Sequence, residues 1–373
     1  MTETPIIPLA VPDLRGNEAA YLARCVAENW VSSAGPQVRA LEARMAQLCG
    51  VDHAVATVNG TTALHLALIT AGVGPGDLVA IPDFTFVATA NAVVHAGARA
   101  LLLDVTEQSW TLDPTCLARA FDDHGEAITA VVPVHALGHP ADMDAITALA
   151  RAHDVPVIED AAGAVGALYR DRPVGGLGDA AIFSFNGNKT VTAGGGGAIT
   201  TQEGNWAGRA RSLSAQARDG DAYRHGEVGF NYRMPNINAA LALAQLERLD
   251  DMVAIKRAIA ARYDDALAGR EDLAPMPRPD WATSACWLYS VRCADPAVAV
   301  ALVDHLATAR ITARVAWQSL SGQTPFAAMP THLTGVAARL SGSVVSLPCS
   351  TSLGEAEQQR VIAALAEWRG ACI

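Results

Sequence analysis

Lys189 lies in the run Phe183-Ser184-Phe185-Asn186-Gly187-Asn188-Lys189-Thr190, and Gly194-Gly195-Gly196-Gly197 follows soon after it. A neutral lysine amine can attack a carbonyl and form an imine; arginine cannot, because its guanidinium stays protonated. Of the 27 basic residues in the chain only two are lysines, Lys189 and Lys256. Imine chemistry on a side-chain amine therefore has two candidates. Lys256, in Ile255-Lys256-Arg257-Ala258, reads as a solvated position on a long helix. Lys189 follows an apolar strand and enters a polar, glycine-rich loop. There backbone can approach a bulky ligand, and a partly desolvated lysine has a lowered pKa.

Two other segments carry groups that could serve the same chemistry. Val157-Ile158-Glu159-Asp160-Ala161-Ala162 puts a carboxylate at the end of an apolar strand. Asp160 could pair with the protonated ring nitrogen of an electron-sink cofactor, or simply cap the following helix. Asn59-Gly60-Thr61-Thr62-Ala63-Leu64 joins a strand end to a helix start. Its backbone N–H groups and hydroxyls could bind an anion, or Thr61 could be an ordinary N-cap. His135 and His139 are spaced four apart, but Gly138 and Pro140 break the helix face that a metal pair would need, so no metal is expected. His65 reads as a packed histidine. The stretch from Arg211 to Arg233, with Arg218 and Arg224 inside it, reads as a solvated loop or as a cover over an anionic diphosphate.

The elements that must hold these groups alternate. Strand patterns at 53–58, 78–81, 100–103, 128–134, 155–159 and 180–185 are separated by helical patterns at 61–69, 87–96, 114–121 and 142–153. That alternation predicts an α/β domain with a mainly parallel sheet, whose ligands bind beyond the carboxyl ends of the strands. Residues 235–267 read as one long helix with a stripe of Leu243, Leu246, Leu249 and Val253. After Pro275–Pro279 the pattern changes to a strand at 287–292, a helix at 298–309, a strand at 344–347 and a closing helix at 355–368. The expected division is a large domain over 1–250 and a smaller C-terminal α+β domain over 251–373.

The 373 residues are 51% hydrophobic and 17% charged, enough apolar material for a substantial core. A net charge of −11 speaks against nucleic-acid binding. Seven cysteines with no C-x-x-C pair suit a reducing, cytoplasmic setting rather than a disulfide framework. No leader pattern is visible at 1–12. No apolar run approaches the roughly 18–20 residues of a membrane span.

Together these segments resemble the DegT/DnrJ/StrS family of sugar-nucleotide aminotransferases, of the aspartate-aminotransferase-like (type I) fold of pyridoxal-phosphate enzymes. The resemblance runs through Trp30-Val31-Ser32-Ser33-Ala34-Gly35, Asn59–Leu68, Pro82–Ala92, Pro133–Met143, Ile158–Gly166, Phe183–Gly197, Gly229–Asn236, Trp287-Leu288-Tyr289 and Leu347-Pro348. It implies pyridoxal 5'-phosphate as cofactor, with Lys189 bonded to it and then shuttling a proton. Asp160 would pair with the ring nitrogen and Phe86 would stack on the ring. Gly60, Thr61, Thr62 and Ser184 would hold the phosphate. Asn231 would reach the phosphate of a neighbouring subunit, implying a homodimer with shared active sites. Ser32, Ser33, Arg224 and Arg314 are candidate substrate contacts.

Two positions depart from the family pattern. Gly163 stands where Gln, His or Glu is usual near the cofactor's phenolic oxygen. The run Arg314–Gly322 has no histidine, where relatives often carry a His-rich stretch. The implied reaction moves an amine, from glutamate, to C4 of a nucleotide-linked 4-keto-6-deoxyhexose for surface-glycan or lipopolysaccharide synthesis. The resemblance points first to a UDP-linked N-acetyl sugar, with a GDP-perosamine-type substrate as the alternative. A sugar dehydratase of this fold would carry histidine in place of Lys189. A non-catalytic nucleotide-sugar binder would have no use for Lys189, Asp160 and Phe86 together.

Overall fold

The computed structural model describes residues 5–220 and 223–369. Seven strands build the main sheet: β1 (His53–Thr57), β2 (Leu78–Pro82), β3 (Arg99–Leu103), β4 (Ile128–Val131), β5 (Ile158–Asp160), β6 (Ala180–Ser184) and β7 (Gly197–Thr201). They form the two sections β1-β7-β6-β5 and β4-β2-β3. Parallel bridges Val131–Val157 and Val134–Asp160 join β4 to β5. Of these strands β7 alone runs antiparallel to its neighbours. The expected α/β class with a mainly parallel sheet is what the chain adopts.

The sheet is buried on both faces, as its apolar strands require. Side chains alternate between two cores. Val55 and Ile182 point to one, with Leu64 and Leu68 of α1 (Gly60–Thr70). Ala54, Ala56 and Phe183 point to the other, with Leu41 and Met45 of the helix Pro36–Cys49.

The outer edge of β3 is closed by a segment from far along the chain. Thr331–His332 pairs parallel with Leu102–Leu103. Beside it, the fully buried carboxylate of Asp104 accepts N–H bonds from Thr334, Gly335, Val336 and Ala337 and a hydroxyl bond from Thr334. Asp104 thereby caps the short helix Val336–Leu340.

The rest of the C-terminal region has its own antiparallel sheet. Its order is Ala274–Pro275, β8 (Tyr289–Arg292), β9 (Val344–Leu347) and Arg314–Val315. The helices Pro296–Thr308 and Glu355–Glu367 cover it through Leu302, Leu306, Val361 and Leu365.

Three local expectations fail. The helix at 235–267 is two helices, Asn236–Leu246 and Leu249–Leu267, with a break at Glu247 and Arg248. The break lets the chain pass from one core to another: Leu246, Leu249 and Val253 pack with the large sheet, whereas Ile259, Tyr263 and Leu267 pack with the small one. The cap of α1 is Asn59, whose side chain accepts the Thr62 N–H at 2.8 Å, not Thr61. Lys256 is not solvated. It is 4% exposed, and its Nζ donates to the carbonyls of Trp287 (3.1 Å) and Cys349 (2.8 Å), which offset the cost of burying an amine.

Candidate active site

The carboxyl ends of β1, β2, β5 and β6 open on one cavity of about 450 Å³, roofed by residues of the C-terminal region. Each strand end delivers a group of different chemistry. β1 leads into Asn59 and the start of α1. There the capped Thr62 N–H is satisfied, and Gly60 and Thr61 line the cavity at the positive end of the helix. A Cβ on Gly60 would fall 2.8 Å from the Cβ of Ser184, so only glycine lets this helix start lie against β6. The result is an anion cradle of helix N-terminus, Thr61 and Ser184.

β5 ends on Asp160, 6% exposed. Its Oδ2 accepts the hydroxyl of Thr89 at 2.8 Å and its Oδ1 accepts the Ala162 N–H at 3.2 Å. Thr89, in the first turn of the helix Ala88–His95, also contacts Thr85 of the loop after β2 at 3.2 Å, so the carboxylate is held by that helix as well as by its own strand. Phe86, on that loop, lines the cavity and is 56% exposed.

β6 leads to Lys189, whose N–H closes a turn on the Asn186 carbonyl at 3.0 Å. Its amine lies over the Trp287 ring, 3.3 Å from the centroid. Desolvation lowers its pKa to about 7, against the opposing pull of the Asp160 charge. A lysine in this state is half neutral near pH 7 and so is a competent nucleophile.

The roof is tied to the floor. Asp83 accepts the N–H and hydroxyl of Ser321 at 2.7 and 2.8 Å, and its carbonyl accepts the Leu320 N–H at 2.9 Å. Trp317, just before this latch, packs on Phe84 with centroids 5.5 Å apart and lines the cavity. Ser321 lies in the stretch after Arg314 that carries no histidine, and it is engaged with the floor.

Of the residues singled out from the sequence, Lys189, Asp160, Phe86, Gly60, Thr61, Ser184 and Arg314 meet at this cavity. Thr62 is used up in the helix cap, both its N–H and its hydroxyl bonding to Asn59. Ser32, Ser33, Arg224 and Asn231 are exposed and lie outside the lining of this cavity. In the arginine-rich stretch, Arg211 donates to the Ala54 carbonyl and Arg233 pairs with Glu42 at 3.1 Å, so these two serve the fold. His135 is paired with buried Glu159 at 2.9 Å. His139 is buried against Trp281, and His65 meets the Tyr232 hydroxyl at 3.2 Å. Sequence reasoning gave no role to Thr89, Asp83 or Trp287, whose partners are remote in sequence.

An amine, a buried carboxylate and an anion cradle in one cavity match a cofactor with a carbonyl, a basic ring nitrogen and a phosphate. The model of the DegT/DnrJ/EryC1/StrS aminotransferase family matches residues 12–366. The chain belongs to this family. The aminotransferase is 40% identical to a GDP-perosamine synthase of Caulobacter vibrioides, over 98% of this chain and 99% of that one. It is 38% identical to a GDP-perosamine synthase of Escherichia coli O157:H7, over 69% and 70% of the two chains. Its fold matches that of DesV from S. venezuelae with a TM-score of 0.90 at 33% identity, covering 98% and 99% of the chains. A family member from Brucella abortus matches at 0.88 and 30%, covering 94% and 95%. Family, fold, cofactor and enzyme class therefore stand as read from the sequence: this is a pyridoxal-phosphate-dependent aminotransferase. Among the described residues no helix is long and apolar enough to cross a membrane.

Proposed function

We propose that this aminotransferase moves an amino group, with glutamate as donor, to C4 of a GDP-linked 4-keto-6-deoxyhexose for surface-glycan synthesis. The observation that carries the reading is the 40% identity to a GDP-perosamine synthase across essentially the full length of both chains. These relatives speak for the GDP-linked alternative rather than for the UDP-linked N-acetyl sugar.

Bound pyridoxal phosphate supplies an electrophilic carbonyl and a ring that accepts the electron pair released at the substrate carbon. Lys189 would hold the group covalently at rest and, once free, would take up and deliver a proton at Nζ. Asp160 would keep the ring nitrogen protonated. Phe86 would pack against the ring, and Gly60, Thr61 and Ser184 would hold the phosphate. Arg314, at the cavity mouth, offers a cation to the substrate.

The active unit in this proposal is a homodimer. Asn231, Ser32, Ser33 and Arg224 are outside their own cavity and would serve the partner's. Exposed Trp30, Val31, Tyr223 and Val228 are apolar surface that a second copy would cover. A cytoplasmic setting fits the six described cysteines, all free and buried.

The test is a panel of GDP-, UDP- and dTDP-linked 4-keto sugars with glutamate. We expect kcat/KM for the GDP-linked sugar to exceed the others by at least about tenfold. A preference for a UDP-linked N-acetyl sugar would overturn the proposal. Analysis of the product at C4 fixes the orientation of the new amine.

A pH dependence also follows. Because the free Lys189 amine reacts only when neutral, capture of pyridoxal phosphate by the cofactor-free chain should speed up as pH rises toward about 7. The gain should be about tenfold per unit on the acid side, with a plateau above about pH 8. Rapid-mixing absorbance measures this; a rate still climbing steeply at about pH 9 would mean that Lys189 keeps an ordinary pKa.

A further inference from the structure

Trp287 is held from several sides, although no step above uses it. It is 7% exposed. Its Nε1 donates to the Asn188 carbonyl at 2.8 Å, next to Lys189 in the chain. Its own carbonyl accepts from Lys256 Nζ at 3.1 Å and from the Cys349 thiol at 3.4 Å. Its ring lies directly over Gly163. A Cβ at position 163 would sit 3.0 Å from Cδ2 and closer still to Cε3, so any side chain there would push the ring away. The opposite result of this packing is that the ring meets the Lys189 amine, 3.3 Å from the centroid, well inside the roughly 6 Å limit for a cation–π contact.

We propose that Trp287 is a positioning residue that holds the Lys189 amine whenever the lysine is released from the cofactor, and that glycine at 163 is what allows it. This rests on the reading that Lys189 is the residue bonded to the cofactor. During each half-reaction the lysine is set free and must stay within reach of the reacting carbon. A free lysine side chain has many rotamers, and restricting them beforehand speeds each proton transfer. A carboxylate could restrain the amine too, but it would favour the charged form strongly. The face of an indole restrains it by a weaker attraction and leaves it able to give up its proton. Lys256 acts through Trp287 by fixing its backbone, and the Asn188 carbonyl fixes the ring.

The two-lysine composition makes the contact directly observable. Chain labelled with [ε-13C]lysine should give two ε-methylene NMR signals, assigned with Lys189→Met. In the cofactor-free chain, and in the chain holding pyridoxamine 5'-phosphate, the Lys189 signal should lie upfield because it sits over an aromatic face. Trp287→Leu should remove that displacement, and Gly163→Ala should reduce it. The Lys256 signal, whose contacts are with two backbone carbonyls, should stay in place and report an intact fold. In turnover, Trp287→Leu should lower kcat about tenfold with KM for the amino donor little changed. A Lys189 signal at the ordinary position in the unsubstituted chain, or one unmoved by Trp287→Leu, overturns the proposal. So does an unchanged kcat. Failure of borohydride to fix pyridoxal phosphate at Lys189 would instead strike at the cofactor reading, because the cofactor-free spectrum does not depend on it.

Discussion

Lys189→Ala is expected to lower turnover by at least about 10⁴-fold, because in the proposed role this one residue supplies both the covalent attachment and the proton transfer. The same substitution should end the fixing of cofactor by borohydride. In the unsubstituted chain, peptide mapping after reduction should place all of the label on Lys189. The alternative amine, Lys256, is 4% exposed, lies behind Trp287 and is committed to two carbonyls. Label appearing on Lys256, or turnover persisting in Lys189→Ala, would remove Lys189 from its proposed role. Among the described residues the Lys189 side chain makes no hydrogen bond, so the variant should remain folded, which circular dichroism can verify.

Asp160→Asn should be the second most damaging change and should have two separable effects. Asparagine has the size of aspartate and can still accept the Ala162 N–H, while the Thr89 hydroxyl can turn to accept from the amide. The negative charge is what disappears. In the proposed arrangement the ring nitrogen would then lose the partner that keeps it protonated, and kcat/KM should fall by about 10²–10³-fold. The second effect concerns Lys189. The Asp160 charge raises the Lys189 pKa against the larger lowering by desolvation. Its loss should move the Lys189 pKa below about 7, so the acid limb of the capture-rate profile should shift to lower pH. A variant with normal turnover would exclude Asp160 as the ring partner. A profile shifted toward alkaline pH would contradict the electrostatic account.

Much of this arrangement could be read from the sequence, for a physical reason. Parallel strands covered on both faces must be apolar, so the interruptions stand out, and polar residues at strand ends are drawn to one edge of the sheet. Lys189, Asp160, Gly60, Thr61 and Ser184 all occupy such positions, and the structure brings them to one cavity. What the sequence did not disclose depends on contacts between distant segments. Lys256 looked solvated because its neighbours in the helix are ordinary; its acceptors are backbone carbonyls 31 and 93 residues away. Backbone acceptors leave no residue-type signature. The Asp83–Ser321 latch spans 238 residues and is equally silent. The break at Glu247–Arg248 carries neither glycine nor proline, because it is set by two cores pulling on either half of the segment. Gly163 was visible as a departure, but only the fold shows that an indole fills the space.

The strand Thr331–His332 and the Asp104 cap have a bearing on how the chain reaches this state. The contacts of Asp104 with Thr334 span 230 residues. Until that late segment arrives, β3 is an open sheet edge with unpaired N–H and C=O groups and an apolar sequence, Arg99–Leu103. A ribosome making the protein therefore releases nearly the whole large sheet before the piece that seals it has been synthesised. Contacts of such long range are slow to form, and an unsealed edge invites pairing with other chains in the interval. The early folding species is thus the point at which this enzyme is most exposed to aggregation. A chain cut at the boundary between its two regions would keep that edge open permanently.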